Sequence, residues 1–160
     1  MRLITLHVGL GTFAPVRVDD LADHAMHGEE FTVPAGLADE LAQARAAGRS
    51  ALAVGTTSLR VLHTVGRTHA CAAQEHGVNA EQARTEAQAR LHPTVTRAFI
   101  YPGHGTHAAD LLLTNFHLPG STLLALVYAF GGEDLMRRVY AHAIANRYRF
   151  FSYGDCMFLR

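Results

Sequence analysis

Short apolar runs and longer stretches with apolar residues at helical spacing alternate along this chain. Residues 3–8, 51–54 and 111–113 are mainly apolar and too short for a typical helix, which indicates buried strands. Each run leads into a loop that contains Gly, Thr or Ser. Residues 37–47 and the stretch after Leu59 carry apolar side chains three or four positions apart, as on one face of a helix. Strands that alternate with helices predict an α/β fold with a mainly parallel sheet and flanking helices.

The remaining elements are predicted from the same two patterns. Asp19 and Asp20 can cap a short helical turn over residues 21–27, because a carboxylate there can accept a hydrogen bond from an unpaired amide. Residues 133–146 are predicted to form another helix. The core-facing side chains expected on it are Leu135, Val139 and Ile144. Extended segments are predicted at residues 15–18, 30–33, 98–101 and 150–159.

The segment 66–97 differs in composition from its surroundings. It is rich in Ala, Gln and Glu and has few large apolar residues, so it has little with which to pack against a core. The whole chain has 160 residues, which suffice for one modest core. We therefore expect a single domain with a solvated insertion or linker at about residues 66–97.

Charge and cysteine content narrow the function classes. Fourteen acidic and fourteen basic residues cancel, so the charge total predicts no strong nonspecific attraction to nucleic acid or membrane. Cys71 and Cys156 lie far apart in unlike contexts, which indicates neither a disulfide framework nor a thiolate metal site. A reducing cytoplasm is the expected location, and no membrane span is predicted. Four arginines form the main basic concentration and either line a solvated helix face or hold a phosphate backbone. They are Arg137, Arg138, Arg147 and Arg149.

The loop after the third apolar run carries the first candidate site. Asn115 can donate and accept hydrogen bonds, and His117 titrates near neutral pH, so both suit recognition or proton transfer. Ser121 follows a Pro-Gly turn and can cap the next helix. The structural alternative is that Asn115 only closes the turn and His117 only bonds a neighbouring carbonyl.

Two other loops repeat this plan. Gly9 and Gly11 follow the first strand and would let a ligand come close, but the third glycine of a dinucleotide-binding loop is absent. Thr56, Thr57 and Ser58 follow the strand at 51–54, where amides and hydroxyls at a helix start bind phosphates or carboxylates. Arg60 could add a bidentate contact. The alternative is a helix cap beside a surface arginine.

The histidines offer only weak metal-ligand patterns. His24 and His27 are three residues apart, which would place both rings on one helical face, and Glu29 or Glu30 could complete a metal site. The same groups equally suit acid-base chemistry around a polar substrate. A second weak group comprises His104, His107 and Asp110.

Seven ordered blocks resemble a known enzyme family. They are residues 5–13 (TLHVGLGTF), 15–18 (PVRV), 23–27 (DHAMH), 54–60 (VGTTSLR), 100–103 (IYPG), 113–123 (LTNFHLPGSTL) and 148–155 (YRFFSYGD). Together they resemble the S-adenosylmethionine:tRNA ribosyltransferase-isomerases of queuosine synthesis. Family members are longer, and these blocks are similar to their C-terminal part. The resemblance therefore implies part of an α/β-barrel-like domain and a missing N-terminal half.

The resemblance also implies a reaction. The ribosyl group of S-adenosylmethionine, as co-substrate, would move onto 7-aminomethyl-7-deazaguanine at the wobble position of a tRNA and isomerise to epoxyqueuosine, releasing adenine and methionine. No metal is required. The implied proton-handling residues are His7, His24, His27 and His117, with Asp155 for an ammonium group or a ribose hydroxyl. The expected substrate-binding residues are Gly9, Gly11, Thr12, Arg17, Thr56, Thr57, Ser58, Arg60, Asn115, Ser121 and Tyr153.

Two other functions are compatible with the same residues. One is a noncatalytic relative that keeps the scaffold and binds a nucleotide or RNA. The other is an enzyme that uses S-adenosylmethionine on a different acceptor. Adenine release that depends on tRNA would support the ribosyltransferase-isomerase function over both of these alternatives.

Overall fold

The computed structural model describes residues 1–9, 12, 15–75, 95–104 and 109–160, with only the backbone described for 69–75. The helices are α1 (Leu37–Ala46), α2 (Thr56–Glu75), α3 (Thr122–Gly131) and α4 (Glu133–Ala145), with a 3-10 turn at Leu21–Asp23. The strands are β1 (Thr5–Leu6), β2 (Glu29–Thr32), β3 (Leu52–Val54), β4 (Val95–Thr96), β5 (Leu111–Asn115) and β6 (Cys156–Leu159). The predicted mixture of α and β structure is confirmed.

The described strands form two small sheets. One has the order β1–β2–β4 and is antiparallel throughout. The other has the order β3–β5–β6, in which β3 and β5 are parallel and β6 runs antiparallel to β5. The prediction of a mainly parallel sheet is therefore wrong for the described residues. Helices α3 and α4 lie between β5 and β6, and β6 begins beside the carboxyl end of β5 and runs antiparallel to it.

The main core lies between one face of the β3–β5–β6 sheet and three helices. Alternate strand residues Ala53, Leu112 and Met157 are buried there. They pack in one cluster with side chains of α2, α3 and α4, among which Leu59, Leu126 and Met136 are almost completely buried. A smaller cluster joins the other sheet to α2 through Phe31, Val61 and Val65. Helix α2 thus packs on both sheets and fixes their relation.

Several helices and strands have bounds that differ from the predicted ones. Residues 98–101 follow β4 and are not a strand. The turn capped by Asp20 ends at Asp23, and His24 has extended backbone, so the common helical face proposed for His24 and His27 does not form. Helix α2 continues to Glu75, ten residues into the predicted insertion, and residues 76–94 lie outside the described residues. No helix in the described part of the chain is long and apolar enough to span a membrane.

Candidate functional site

The strand ends and the loops of the β3–β5–β6 sheet meet at one edge. The carboxyl ends of β3 and β5 meet there because these strands are parallel, and β6 begins there because it is antiparallel. Gly55 turns the chain from β3 into α2 with a φ of 87°, a conformation that favours glycine. Its amide donates to the carbonyl of Leu113 at 2.8 Å, which ties this turn to β5. Thr56, buried, and Thr57 form the first turn of α2 at this edge.

His117 is half-buried in the loop that leaves β5. Its Nε2 lies 3.0 Å from the hydroxyl of Thr114, and its backbone amide donates to the hydroxyl of Tyr140 at 3.0 Å. Burial lowers the pKa of His117 to about 4, so the imidazole is neutral near pH 7. A neutral imidazole has one donor and one acceptor, so the bond between Nε2 and Thr114 determines which role is left to Nδ1.

The loop before β6 is held against the same strand end. The side-chain amide of Asn115 donates to the carbonyls of Gly154 and Asp155 at 3.4 and 3.3 Å. The amide of Phe151 donates to the carbonyl of Phe116 at 3.1 Å. The side chain of Asn115 thus joins the end of β5 to the loop before β6. These contacts bring Asp155 beside the His117 loop.

The carboxylate of Asp155 is contacted by Arg149, a residue of the same loop. Its Oδ2 accepts the backbone amide of Arg149 at 2.7 Å, and its Oδ1 lies 3.4 Å from the Arg149 guanidinium. The backbone amide of Arg149, with its guanidinium, holds the pKa of Asp155 below its ordinary value. The carboxylate is therefore ionised at neutral pH, as binding an ammonium group requires.

The loop that follows β1 and includes Thr12, Pro15 and Val16, here called the N-terminal loop, reaches the same edge from the other sheet. The amide of Val16 donates to the carbonyl of Gly120 at 2.8 Å, and Pro15 forms a β-bridge with Ser121. The hydroxyl of Thr122 donates to the carbonyl of Thr12 at 3.3 Å. Ser121 caps α3 as predicted, since its Oγ accepts the amide of Leu124 at 3.1 Å.

A buried ion pair anchors this N-terminal loop. Arg60 and Glu29 are 3% and 2% exposed, and the guanidinium Nη1 of Arg60 contacts the Oε2 of Glu29. Nη1 also lies 3.3 Å from the hydroxyl of Thr12, and Nε donates to the carbonyl of Ala98 at 3.1 Å. The other oxygen of Glu29 accepts the hydroxyl of Thr12 and, at 2.8 Å, the amide of Gly9. Sequence reasoning allowed Arg60 to lie on the surface, but it is a core residue.

The electrostatics of this pair favour the charged state. Burial by itself raises the pKa of Glu29, but hydrogen bonds from Thr12, Gly9 and Arg60 and the positive charge of Arg60 together lower it below the ordinary value. The Nη2 atom of Arg60 is buried and has no hydrogen-bond partner among the described residues. It is therefore a donor left for a further oxygen atom.

The other predicted residues are not all brought into this network. His24 packs its ring on Phe99, with the centroids 4.8 Å apart. Phe99 adjoins Ala98, whose carbonyl accepts from Arg60. Ser58 is half-buried in the first turn of α2. Exposed positions are occupied by His7, His27, Arg17 and Tyr153. Gly11 and His107 lie outside the described residues.

No metal centre is apparent in the described part of the chain. There, no three His, Cys, Asp or Glu side chains converge so that they could hold an ion. Glu29, offered above as a metal ligand, is instead bonded to Arg60, Thr12 and Gly9.

Sequence reasoning offered Glu29 only as a metal ligand or acid-base group beside the histidines, not as the partner of Arg60, and it missed Thr114. Both lie on strands in which buried and exposed positions alternate, Glu29 in phase with Phe31 and Thr114 in phase with Leu112. That alternation marks a polar residue on the core face, where it needs a partner. The alternation therefore indicated that these polar residues are buried, but it did not indicate which residues they bond.

Known proteins resemble this chain over nearly its whole length. A family model described as queuosine biosynthesis protein matches residues 1–159. A protein of Thiobacillus denitrificans named S-adenosylmethionine:tRNA ribosyltransferase-isomerase is 52% identical over 98% of this chain, and a protein of the same name from Azoarcus sp. is 51% identical over 98%. The chain spans only 40% of the length of each of these relatives.

A solved structure gives the same answer. The crystal structure of S-adenosylmethionine tRNA ribosyltransferase from Thermotoga maritima has a TM-score of 0.60 and 38% sequence identity. The likeness covers 82% of this chain and 41% of that protein. Sequence and fold therefore agree with the resemblance seen in the seven blocks, and the chain belongs to the queuosine biosynthesis protein family.

Proposed function

We propose that this chain serves the transfer and isomerisation of the ribosyl group of S-adenosylmethionine onto a 7-aminomethyl-7-deazaguanine of tRNA. The observation that carries the proposal is the neutral, half-buried His117 in the loop after β5, the strand whose Asn115 bonds the backbone of Asp155, while Thr122 of α3 bonds the backbone of Thr12. The shared name of the 52% and 51% identical relatives supports it. The reaction needs a neutral base, a carboxylate for a cationic group and donors for oxygen atoms, and these groups are connected at one edge.

In this proposal His117 handles the proton of the first step. The positive sulfonium acidifies the neighbouring C5′ carbon of the ribose, and a neutral imidazole can accept that proton. A buried imidazolium with a pKa of about 4 gives its proton up readily, so His117 can pass it to the departing adenine. The proton taken at C5′ then leaves on adenine as its bond to the ribose breaks. Methionine leaves when the bond between sulfur and C5′ breaks, and the amine loses one proton to solvent when its nitrogen bonds to the ribosyl group. His7, His24 and His27 remain proposed as further proton carriers.

Substrate binding is assigned to the remaining loops. Thr56, Thr57 and Ser58, at the amino end of α2, are proposed to bind a carboxylate or a phosphate, because helix amides attract anions. Arg60 would add its unpartnered Nη2. Asp155, held ionised, would take an ammonium group or a ribose hydroxyl. A list of the other proposed contacts comprises Gly9, Gly11, Thr12, Arg17, Asn115, Ser121 and Tyr153.

The proposal also covers the domain organisation and the cellular location of the chain. We place it in one catalytic domain, part of an α/β-barrel-like whole, with an insertion or linker at about residues 66–97. A tRNA substrate implies the cytoplasm, and no metal takes part in the scheme.

The test is adenine release together with the tRNA product. The chain would replace the matched segment of the Thiobacillus denitrificans relative, and the chimaera would be incubated with S-adenosylmethionine and tRNA that carries the aminomethyl base. Free adenine and a tRNA nucleoside heavier by the transferred group are expected. Binding of tRNA without adenine release would support the noncatalytic alternative. Adenine release with an unmodified acceptor would support a different substrate.

A further inference from the structure

The imidazole of His117 has its two ring nitrogens in different surroundings. Nε2 lies 3.0 Å from the hydroxyl oxygen of Thr114, a residue of β5 that is 4% exposed. Nδ1 bonds no other described residue, and it is not one of the buried polar atoms that lack a partner. Nδ1 is therefore the ring nitrogen that a solvent molecule or a substrate can reach.

The ring of His117 is held in this orientation from both ends. Its backbone amide donates to the hydroxyl of Tyr140 at 3.0 Å, and Tyr140 packs edge-on against Phe116, with the ring centroids 5.4 Å apart. Both aromatic residues belong to the main core. A rotation that turned Nε2 toward solvent would leave the buried hydroxyl of Thr114 without its bond, which costs free energy. Nε2 therefore stays beside Thr114 while Nδ1 stays open.

The hydroxyl of Thr114 can bond to His117 in two ways. A hydroxyl has one donor and two acceptor sites, so it either donates to Nε2 or accepts the hydrogen that Nε2 carries. If it donates, the hydrogen of the neutral imidazole lies on Nδ1, and the one basic lone pair of the ring is occupied at Thr114. If it accepts, that lone pair lies on Nδ1, the open nitrogen. Only the second arrangement gives His117 a lone pair that can take a proton from a substrate.

We infer that Thr114 is a positioning residue, whose hydroxyl oxygen accepts the hydrogen on Nε2 of His117 and so makes Nδ1 the atom that takes the C5′ proton. This role rests on the proposed function, within which it names the reacting atom. When Nδ1 takes the proton, both ring nitrogens carry hydrogen, and Thr114 continues to accept from Nε2. When Nδ1 gives that proton to the departing adenine, the starting tautomer returns. Neither side chain has to reorient during the cycle.

The tautomer of His117 is measured by NMR on the full chain, labelled at the histidine nitrogens. His117 is neutral at neutral pH, and the nitrogen chemical shifts show which ring atom carries the hydrogen. The resonance is assigned by its loss in His117→Gln. We expect the hydrogen on Nε2 in the unchanged chain. In Thr114→Val it should move toward Nδ1, where water can accept it, because Nε2 would face a methyl group.

The rate of adenine release is measured on the chimaera described above. We expect Thr114→Val to lower kcat by about tenfold or more, with the KM for S-adenosylmethionine changed by less than about twofold, because Thr114 is buried and acts through His117. Thr114→Ser keeps the hydroxyl and should recover most of the rate. The matched control is Thr68→Val on α2, which also removes a hydroxyl, one that donates to the carbonyl of Thr64 at 3.0 Å. It should leave the rate and the tautomer unchanged.

Three results would overturn the inference. One is a neutral His117 that carries its hydrogen on Nδ1 in the unchanged chain. Another is a Thr114→Val rate equal to that of Thr68→Val, and the third is a Thr114→Ser rate as low as that of Thr114→Val. If circular dichroism shows that Thr114→Val does not fold, Thr114→Ser and the tautomer of the unchanged chain decide. A chimaera that releases no adenine would instead refute the proposed function, and the tautomer would then decide on Thr114.

Discussion

Glu29 and Arg60 are the two residues on which the N-terminal loop depends most directly. Both are almost fully buried, and removing two charges from water is costly unless each is paired and hydrogen-bonded. The bonds of Glu29 to Thr12 and Gly9 use the carboxylate to fix the loop, while the bond of Arg60 to Ala98 fixes the start of the segment after β4. The pair thus sets the geometry of the loop that reaches α3.

Removing one partner of the Glu29–Arg60 ion pair should destabilise the protein strongly. We expect Arg60→Leu to lower the free energy of unfolding by about 3–5 kcal/mol, because Glu29 is left buried and uncompensated. Urea denaturation measures it. The double variant Glu29→Leu with Arg60→Leu should recover most of the loss. The control Arg137→Leu breaks an exposed ion pair with Glu133 and should change little. A loss no larger than that of the control would show that the pair is not a stabilising contact.

The pKa of His117 gives a prediction about acid stability. The pKa is lower in the folded state, about 4, than the ordinary 6.5, so the unfolded chain binds more protons between these values. Stability is therefore complete above pH 6.5 and falls as the pH drops toward 4. Between pH 6.5 and 4.5 the loss from this group should be about 2 kcal/mol.

The measurement is the free energy of unfolding at those two pH values for the chain and for His117→Gln. The variant should lose the His117 share of the pH dependence, whereas His142→Gln, an exposed histidine on α4, should keep it. Glu29 and Asp155 do not interfere, because their lowered pKa values reduce stability only below about pH 4.5. An equal pH dependence in the chain and in His117→Gln would contradict a lowered pKa.

Single residues were only partly predictable from the sequence. Ser121 and Asp20 were predicted as caps because a cap depends on neighbours two or three positions away. Arg60 lies on α2 and its partner Glu29 lies 31 residues away on β2, and no local pattern indicates that contact. Burial of His117 likewise depends on Tyr140 and the helices, which meet only in the folded chain.

At the scale of elements, the start of α3 determines where the His117 loop ends. Ser121 accepts the amide of Leu124 and donates to the carbonyl of Leu118 at 2.7 Å, so one hydroxyl joins the loop to the helix. Ser121→Ala should lower the free energy of unfolding by about 1 kcal/mol, and Ser121→Asp should restore most of it, since Asp also caps helices. Thermal or urea unfolding measures both. Equal stability of the Ala and Asp variants would show that capping is not the role of this hydroxyl.

The loop from Arg149 to Asp155 depends on a glycine at its narrowest point. A Cβ added at Gly154 would overlap the carbonyl oxygens of Arg149 and Phe150, which are backbone atoms and cannot turn aside. We expect Gly154→Ala to destabilise the protein by about 1–3 kcal/mol and to speed hydrogen exchange at the amide of Asp155.

Gly9→Ala is the matched control for that substitution. Its Cβ would lie 3.9 Å from the nearest described atom, the Oε1 of Glu29, which is an ordinary van der Waals distance. Its stability should therefore change by less than about 0.5 kcal/mol. If Gly154→Ala were as stable as Gly9→Ala, the loop would not need the close approach that the structure gives it.

Element types were more predictable than their arrangement. The unit from β5 through the Pro-Gly turn to α3 follows directly from an apolar run, a turn and a capping hydroxyl. The helix at α4 was predicted, but its core face was not: Met136, Tyr140 and Ala143 are buried, while Leu135 and Ile144 are exposed. The antiparallel pairing of β6 was not predicted, because periodicity shows that a strand exists but not which neighbour it pairs with.

At the scale of the whole molecule, the loops of two small sheets meet through α3. Thr122 bonds the backbone of Thr12 and Phe116 bonds the loop before β6, so the loops that carry Thr12, His117 and Asp155 are connected. The exposed apolar face of the β3–β5–β6 sheet could not be predicted from any single strand, because each strand has the apolar pattern of an ordinary core strand. Only the pairing of Val54, Leu113 and Phe158 reveals it.

The most direct test of the account is the rate of tRNA-dependent adenine release from S-adenosylmethionine by the chimaera, measured beside two variants. We expect sustained release by the unchanged chimaera, a fall of about 100-fold or more for His117→Ala, and an unchanged rate for His142→Ala. A folded chimaera that releases no adenine, or a His117→Ala rate equal to that of the unchanged chimaera, would contradict the account.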